Sequence, residues 1–238
     1  MQTTRTNRSH CVKRIVFAWL LGASLKMHSQ QLLDVSAQAG HMRTQPPAAI
    51  WLTPIHPTSI SAPATGKTYT LLQKNKQFSP HLLIVPAGSV VRFPNADPFF
   101  HNVFSEFEGR RFDLGLYEAG SSKEVTFGRE GVSYIFCNIH PEMSAVVIAL
   151  STPFYSVEGP GGRFHIPNVP ADDYMLHVWV EGEGPGAPNV SARRVRISAD
   201  HTDLGVIHLP PIPHGPVPHD NEYGQKYDTR EPDIYEQP

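Results

Sequence analysis

Gly131-Val-Ser-Tyr-Ile-Phe-Cys-Asn-Ile-His-Pro-Glu-Met-Ser-Ala-Val-Val-Ile-Ala-Leu150 is the stretch that decides how this chain folds. Val132–Phe136 is β-branched and aromatic, the composition of a strand. Ala145–Leu150 is apolar at every position, the pattern of a strand covered on both faces. Between them, Cys137, His140 and Met143 put a thiol, an imidazole and a thioether within seven residues.

Working outward, short strand signals recur at even spacing. Tyr69–Leu72, His81–Val85, Val90–Phe93, Phe99–Phe104, Phe112–Tyr117 and Glu124–Phe127 are separated by turn-forming runs such as Pro86-Ala-Gly-Ser and Pro94-Asn-Ala-Asp-Pro98. Twenty-three Pro and 18 Gly fit many turns, and no helical periodicity of useful length competes. The expectation is an all-β protein built on a β-sandwich. Ala48–Thr53 reads as its first strand. Beyond Pro153, Gly161–Pro170, Tyr174–Val180, Ala192–Ile197 and Leu204–Leu209 predict a second small β-sandwich, too small to stand alone and so expected to pack on the first.

The implied organisation is a signal peptide over 1–29, a linker over 30–47, the first sandwich over 48–151, the second over 152–209, and a Pro-rich disordered tail over 210–238. The apolar run Ile15–Leu25 follows basic residues and is shorter than the roughly 20 residues a membrane span needs. A short anchor helix is the competing view of that run. The mature chain is thus expected in the periplasm or cell envelope, with no membrane span.

The first 29 residues hold five of the 20 basic residues and none of the 22 acidic ones, so the remainder is acidic. That balance argues against nucleic acid as a partner. Ala64-Thr-Gly-Lys-Thr68 resembles the end of a phosphate loop. Position 61 is Ser where that motif needs Gly, and no strand-to-helix pattern surrounds it. Of two cysteines, Cys11 falls within the signal segment, which leaves Cys137 without a partner for a disulfide. A lone exported thiol is exposed to oxidation unless something occupies it.

A metal would occupy it. Upstream, Phe99-Phe100-His101-Asn102-Val103 supplies a second imidazole in apolar surroundings. Two His, one Cys and a weak axial Met form the ligand set of a copper electron-transfer site. Imidazole suits copper(II) and soft sulfur suits copper(I), so His101, Cys137, His140 and Met143 together suit an ion that cycles between both states. The other histidines of the strands, His81, His165, His177, His201 and His208, are expected to be ordinary polar residues.

Over residues 48–151 the chain resembles the cupredoxin family, plastocyanin and especially amicyanin. The resemblance rests on Gly131–Met143 with its Cys-x-x-His-x-x-Met loop, and on His101-Asn102-Val103. It implies a Greek-key sandwich with one type 1 copper carrying single electrons between redox partners. It also implies that Asn102 ties the two ligand loops together by hydrogen bonding. By the same resemblance His140 sits at a surface edge ringed by Pro98, Phe99, Phe100 and Pro141, unless the second sandwich buries those residues. Residues 162–178 resemble the carboxypeptidase regulatory-like β-sandwich, an accessory, non-catalytic module. They depart from its pattern at Gly161 and at Ala171-Asp172-Asp173. A copper-like domain joined to such a module is similar to methylamine-utilisation-type proteins.

Copper storage or delivery is a competing function. The mature chain keeps only Met42, Met143 and Met175 and lacks the Met-rich or His-rich cluster such proteins use. A binding or scaffold module with a structural metal is another. Enzymatic activity is not expected, since no His-x-His pairs for an oxygen-reducing cluster and no paired carboxylates occur at usable spacing.

Overall fold

The computed structural model describes residues 31–40, 47–56, 66–105, 109–182, 190–209, 220–221 and 223–226. The expected signal peptide, the Ala64–Thr68 motif apart from its last residues, and most of the expected tail lie outside them. Among the described residues there are seventeen strands and no helix, and no helix long and apolar enough to cross a membrane. The protein is all-β.

Two strands come first, β1 (Leu32–Ala39) and β2 (Ala48–Pro54). Ten follow over the middle of the chain: β3 (Thr68–Thr70), β4 (Leu72–Lys74), β5 (Gln77–Ser79), β6 (Leu82–Pro86), β7 (Ser89–Pro94), β8 (His101–Ser105), β9 (Phe112–Tyr117), β10 (Ser122–Phe127), β11 (Gly131–Phe136) and β12 (Ser144–Leu150). The last five are β13 (Tyr155–Val157), β14 (Arg163–Pro170), β15 (Asp172–Val180), β16 (Val190–Ile197) and β17 (Asp203–Ile207).

Apart from the small β4–β5 hairpin, the strands make four sheets, with orders β10-β7-β3, β6-β12-β11-β8-β9, β13-β2-β15-β16 and β14-β1-β17. Three apolar cores separate them. The first, with Val91, Phe93, Val125, Phe127, Ile135, Cys137, Ala145, Val147 and Ala149, fills the space between the first two sheets. The second, with Phe104, Val132, Tyr134, Phe136, Val146, Ile148 and Leu150 against Ala49, Trp51 and Trp179, joins the second sheet to the third. The third, with Val35, Ile50, Leu52, Phe164, Ile166, Leu176 and Val195, lies between the last two.

This layering explains the unbroken apolar run at Ala145–Leu150. Ala145, Val147 and Ala149 point into one core, while Val146, Ile148 and Leu150 point into another. The central strand β12 therefore has no watery face. β2 behaves alike, with Ala49 and Trp51 on one side and Ala48, Ile50 and Leu52 on the other.

Two sequence-based expectations differ from the structure. Residues 30–47 are not a linker throughout, because β1 occupies Leu32–Ala39 at the centre of a sheet, antiparallel to β14 and parallel to β17. Its buried face is Val35, Ala37 and Ala39, small residues whose alternation is too faint to announce a strand. Nor does Ala48–Pro54 open the first sandwich. β2 pairs with β13 and β15, so it belongs to the second. The sandwich built from β3–β12 is thus inserted into one assembled from β1, β2 and β13–β17.

Candidate metal centre

β8 and β11 are antiparallel neighbours, joined at Phe104 and Phe136. The start of one therefore lies at the end of the other, which sets His101, the first residue of β8, beside Cys137, the residue after β11. The β11–β12 ladder runs up to the pair Phe136–Ser144. The loop it closes is braced by Cys137 N–H to Met143 O at 3.3 Å and Met143 N–H to His140 O at 2.9 Å. That brace folds His140 back toward the sulfur.

The three polar side chains converge. Cys137 Sγ is 3.7 Å from His101 Nδ1 and 3.6 Å from His140 Nδ1. All three donor atoms lie within 4.8 Å of one another, the one such group among the described residues. N and S ligands sit about 2.0–2.3 Å from an ion such as zinc, so two on one ion at trigonal or tetrahedral angles are roughly 3.5–3.7 Å apart. Both sulfur–nitrogen spacings therefore fit a single ion. The softness of the donor set, one sulfur and two imidazoles, suits copper.

His101 is fully buried and His140 is 3% exposed; Cys137 and Met143 are both fully buried in the same apolar core. Burial pushes the Cys137 thiol up, against the pull of backbone N–H groups at Asn102, Ile139 and His140 aimed at the sulfur. A metal bound there displaces that proton.

Asn102 spans the two loops: its Oδ1 accepts from Asn138 N–H at 3.3 Å and its Nδ2 donates to Asp113 Oδ1 at 2.8 Å. Pro98 and Pro141 are exposed, and Phe99 and Phe100 are half-buried. None of them is in the apolar layer between the sandwiches. The aromatic contact with the imidazoles is made by Phe99, whose ring centroid is 5.3 Å from His101 and 5.6 Å from His140. Lys76 Nζ lies over that ring at 5.4 Å.

Asp97 was not foreseen from the sequence. Its Oδ2 accepts from His101 Nε2–H at 2.8 Å and from Lys76 N–H at 3.0 Å, and its Oδ1 accepts from Asn75 N–H at 2.6 Å. Burial alone would raise the Asp97 carboxyl, but the Lys76, His101 and Asn75 donors outweigh it and hold it below the ordinary carboxylate range. The available signal was a carboxylate four residues before a candidate ligand, in a Pro-bounded turn, because ligating imidazoles commonly give their other N–H to a carboxylate.

No family model matches the chain, and the search of curated proteins found no match. Solved structures do. A purple cupredoxin from Nitrosopumilus maritimus is 24% identical with a TM-score of 0.32, over 34% of this chain and 99% of that one. A Cu-containing nitrite reductase from Thermus scotoductus SA-01 is 23% identical with a TM-score of 0.35, over 41% of this chain and only 26% of that one. Amicyanin from Paracoccus versutus is 20% identical with a TM-score of 0.31, over 42% of this chain and 97% of that one.

Proposed function

We propose that this protein is a cupredoxin-like electron carrier in which His101, Cys137, His140 and Met143 hold one type 1 copper ion. The observation that carries the proposal is the convergence of Cys137 Sγ with two imidazole Nδ1 atoms at 3.6 and 3.7 Å, all three side chains buried. When bound, copper supplies a one-electron couple. The protein's part is to hold two nitrogens and a thiolate in a fixed frame, so that little rearrangement accompanies a change of charge. Braced loops, the Asn102 bridge and a dry surround supply that rigidity.

Phe99, Phe100, Pro98 and Pro141 are assigned to an apolar rim beside His140, suited to brief docking with a redox partner. Burial of the sulfur and His101 speaks against storage or delivery, where the ion must be handed on. The second sandwich is assigned as an accessory, non-catalytic module and the chain as exported, both on sequence resemblance and pattern.

The test is copper(II) addition to the purified protein. An intense visible copper–thiolate charge-transfer band is expected, and Cys137→Ser should abolish it while leaving the fold intact. Folded, copper-loaded protein without that band rejects the proposal. A band without a reversible redox couple would favour copper handling instead.

A further inference from the structure

The Asp97 carboxylate is more firmly held than hydrogen bonding to His101 alone would require. Its two further donors, Asn75 and Lys76 N–H, come from the tip of the β4–β5 hairpin, where both residues have positive φ (56° and 54°). Successive residues in that conformation turn neighbouring amides to one side, which makes a small nest for an anion. From its own loop, Asp97 N–H donates to Asn95 Oδ1 at 3.0 Å, and Asn95 Nδ2 donates to Phe99 O at 2.8 Å. Ala96 N–H donates to Gln73 O at 2.9 Å. Asp97 is 5% exposed and the His101 side chain wholly buried, so water does not stand between them.

We propose that Asp97 is a positioning and tuning residue for the metal centre: it fixes His101 with Nδ1 toward Cys137 and biases bound copper toward its oxidised state. The inference rests on the copper reading above and extends it. A neutral imidazole carries one N–H, and the bond from Nε2 to Asp97 keeps that proton away from Nδ1, which leaves the Nδ1 lone pair for a metal. The carboxylate's charge acts separately. Copper(II) with the Cys137 thiolate has a net charge of about +1, which a carboxylate behind the His101 ring balances. Gain of one electron gives copper(I) and a neutral pair, and the same buried carboxylate then stands uncompensated. The Lys76 ammonium over the Phe99 ring is the same charge in both oxidation states, so it does not cancel the difference between them.

The experiment compares Asp97→Asn with the wild type, using copper(II) and copper(I) alone as probes. The amide is nearly isosteric and still accepts from His101, but carries no charge. Mutation of an outer partner of a ligating imidazole costs about 10–100-fold in metal affinity. The loss is expected for copper(II) and not for copper(I), and each tenfold change in their ratio raises the one-electron reduction potential by about 59 mV. A purely structural role would weaken both ions alike and leave the potential unmoved. An unchanged potential in a variant that keeps the copper–thiolate band overturns this inference and leaves the carrier reading standing. Absence of the band in the wild type overturns both. Should Asp97→Asn fail to fold, nitrogen-15 NMR of the metal-free wild type decides: a proton on His101 Nε2 supports the assignment, and one on Nδ1 overturns it.

Discussion

Asn102 uses both ends of its amide, accepting from the Cys137 loop and donating to Asp113, which in turn accepts from Gly115 N–H at 2.7 Å. Asn102→Ala breaks that chain and leaves Asn138 N–H without this acceptor, at a cost of about 1–3 kcal/mol. The expected outcome is a lower melting temperature and faster hydrogen exchange at Asn138; an unchanged exchange rate would remove Asn102 from the bridge. Met143 tests a different property. Met143→Leu conserves volume in a packed core and should cost less than about 1.5 kcal/mol. With only a weak axial bond lost, copper should stay bound and the potential should shift. Loss of all copper binding would mean that the thioether holds the ion far more firmly than proposed.

At the scale of elements, β12 is the informative one. In a two-layer sandwich with one wet face, alternate positions of a strand tolerate truncation. Here Ile148→Ala should cost about 2–5 kcal/mol and Val147→Ala roughly 2 kcal/mol, because opposite faces enter different cores. Urea denaturation of the two variants checks this, and a neutral change at either position would contradict the layering. That double burial was legible in the sequence, because six consecutive apolar residues leave no polar face. So were His101, Cys137, His140 and Met143, whose chemistry is rare enough in a short loop to stand out. β1 was not legible: Val35, Ala37 and Ala39 alternate with Ser36 and Gln38, and small side chains carry little periodic signal. The home of β2 was hidden for another reason. Its partners β13 and β15 lie more than 100 residues downstream, and strand composition says nothing of which distant strand will pair. Asp97 was hidden because its value depends on the β4–β5 hairpin folding over it.

Across the whole molecule, His81 links the two sandwiches. It precedes β6, its Nδ1 bonds Ser144 O at 3.0 Å, and its Nε2 meets Glu181 Oε1, just past β15, at 2.7 Å. The Glu181 hydrogen bond holds the His81 imidazole above its ordinary range, against the effect of burial. A group raised on folding stabilises the protein below its unfolded value, about 6.5 for histidine, and this contribution fades as pH rises through the folded value. The His81 side chain is 40% exposed, so solvent screening keeps the contribution below about 1 kcal/mol. Glu181→Gln should remove the excess stability of the wild type at pH 5.5 relative to pH 8.5, measured by urea denaturation at both. Equal pH dependence in the two proteins would dismiss the link.

Trp51 and Trp179 both lie in the layer between the sandwiches. Their shared emission should report one cooperative unfolding transition for both halves, and two separated transitions would show that the layer does not couple them.

Insertion of one sandwich into the other also dictates an order of assembly. A chain made from its N-terminus releases β1 and β2 long before β13–β17 exist, so these two must wait as unpaired edges. The loop that gathers His101, Cys137 and His140 is complete by residue 143, while the outer side of its sheet is still bare and adhesive. The last strands to emerge therefore act as a closing cover, and a chain cut short after residue 150 would own every ligand yet lack the surface that keeps its sheet from sticking to its neighbours.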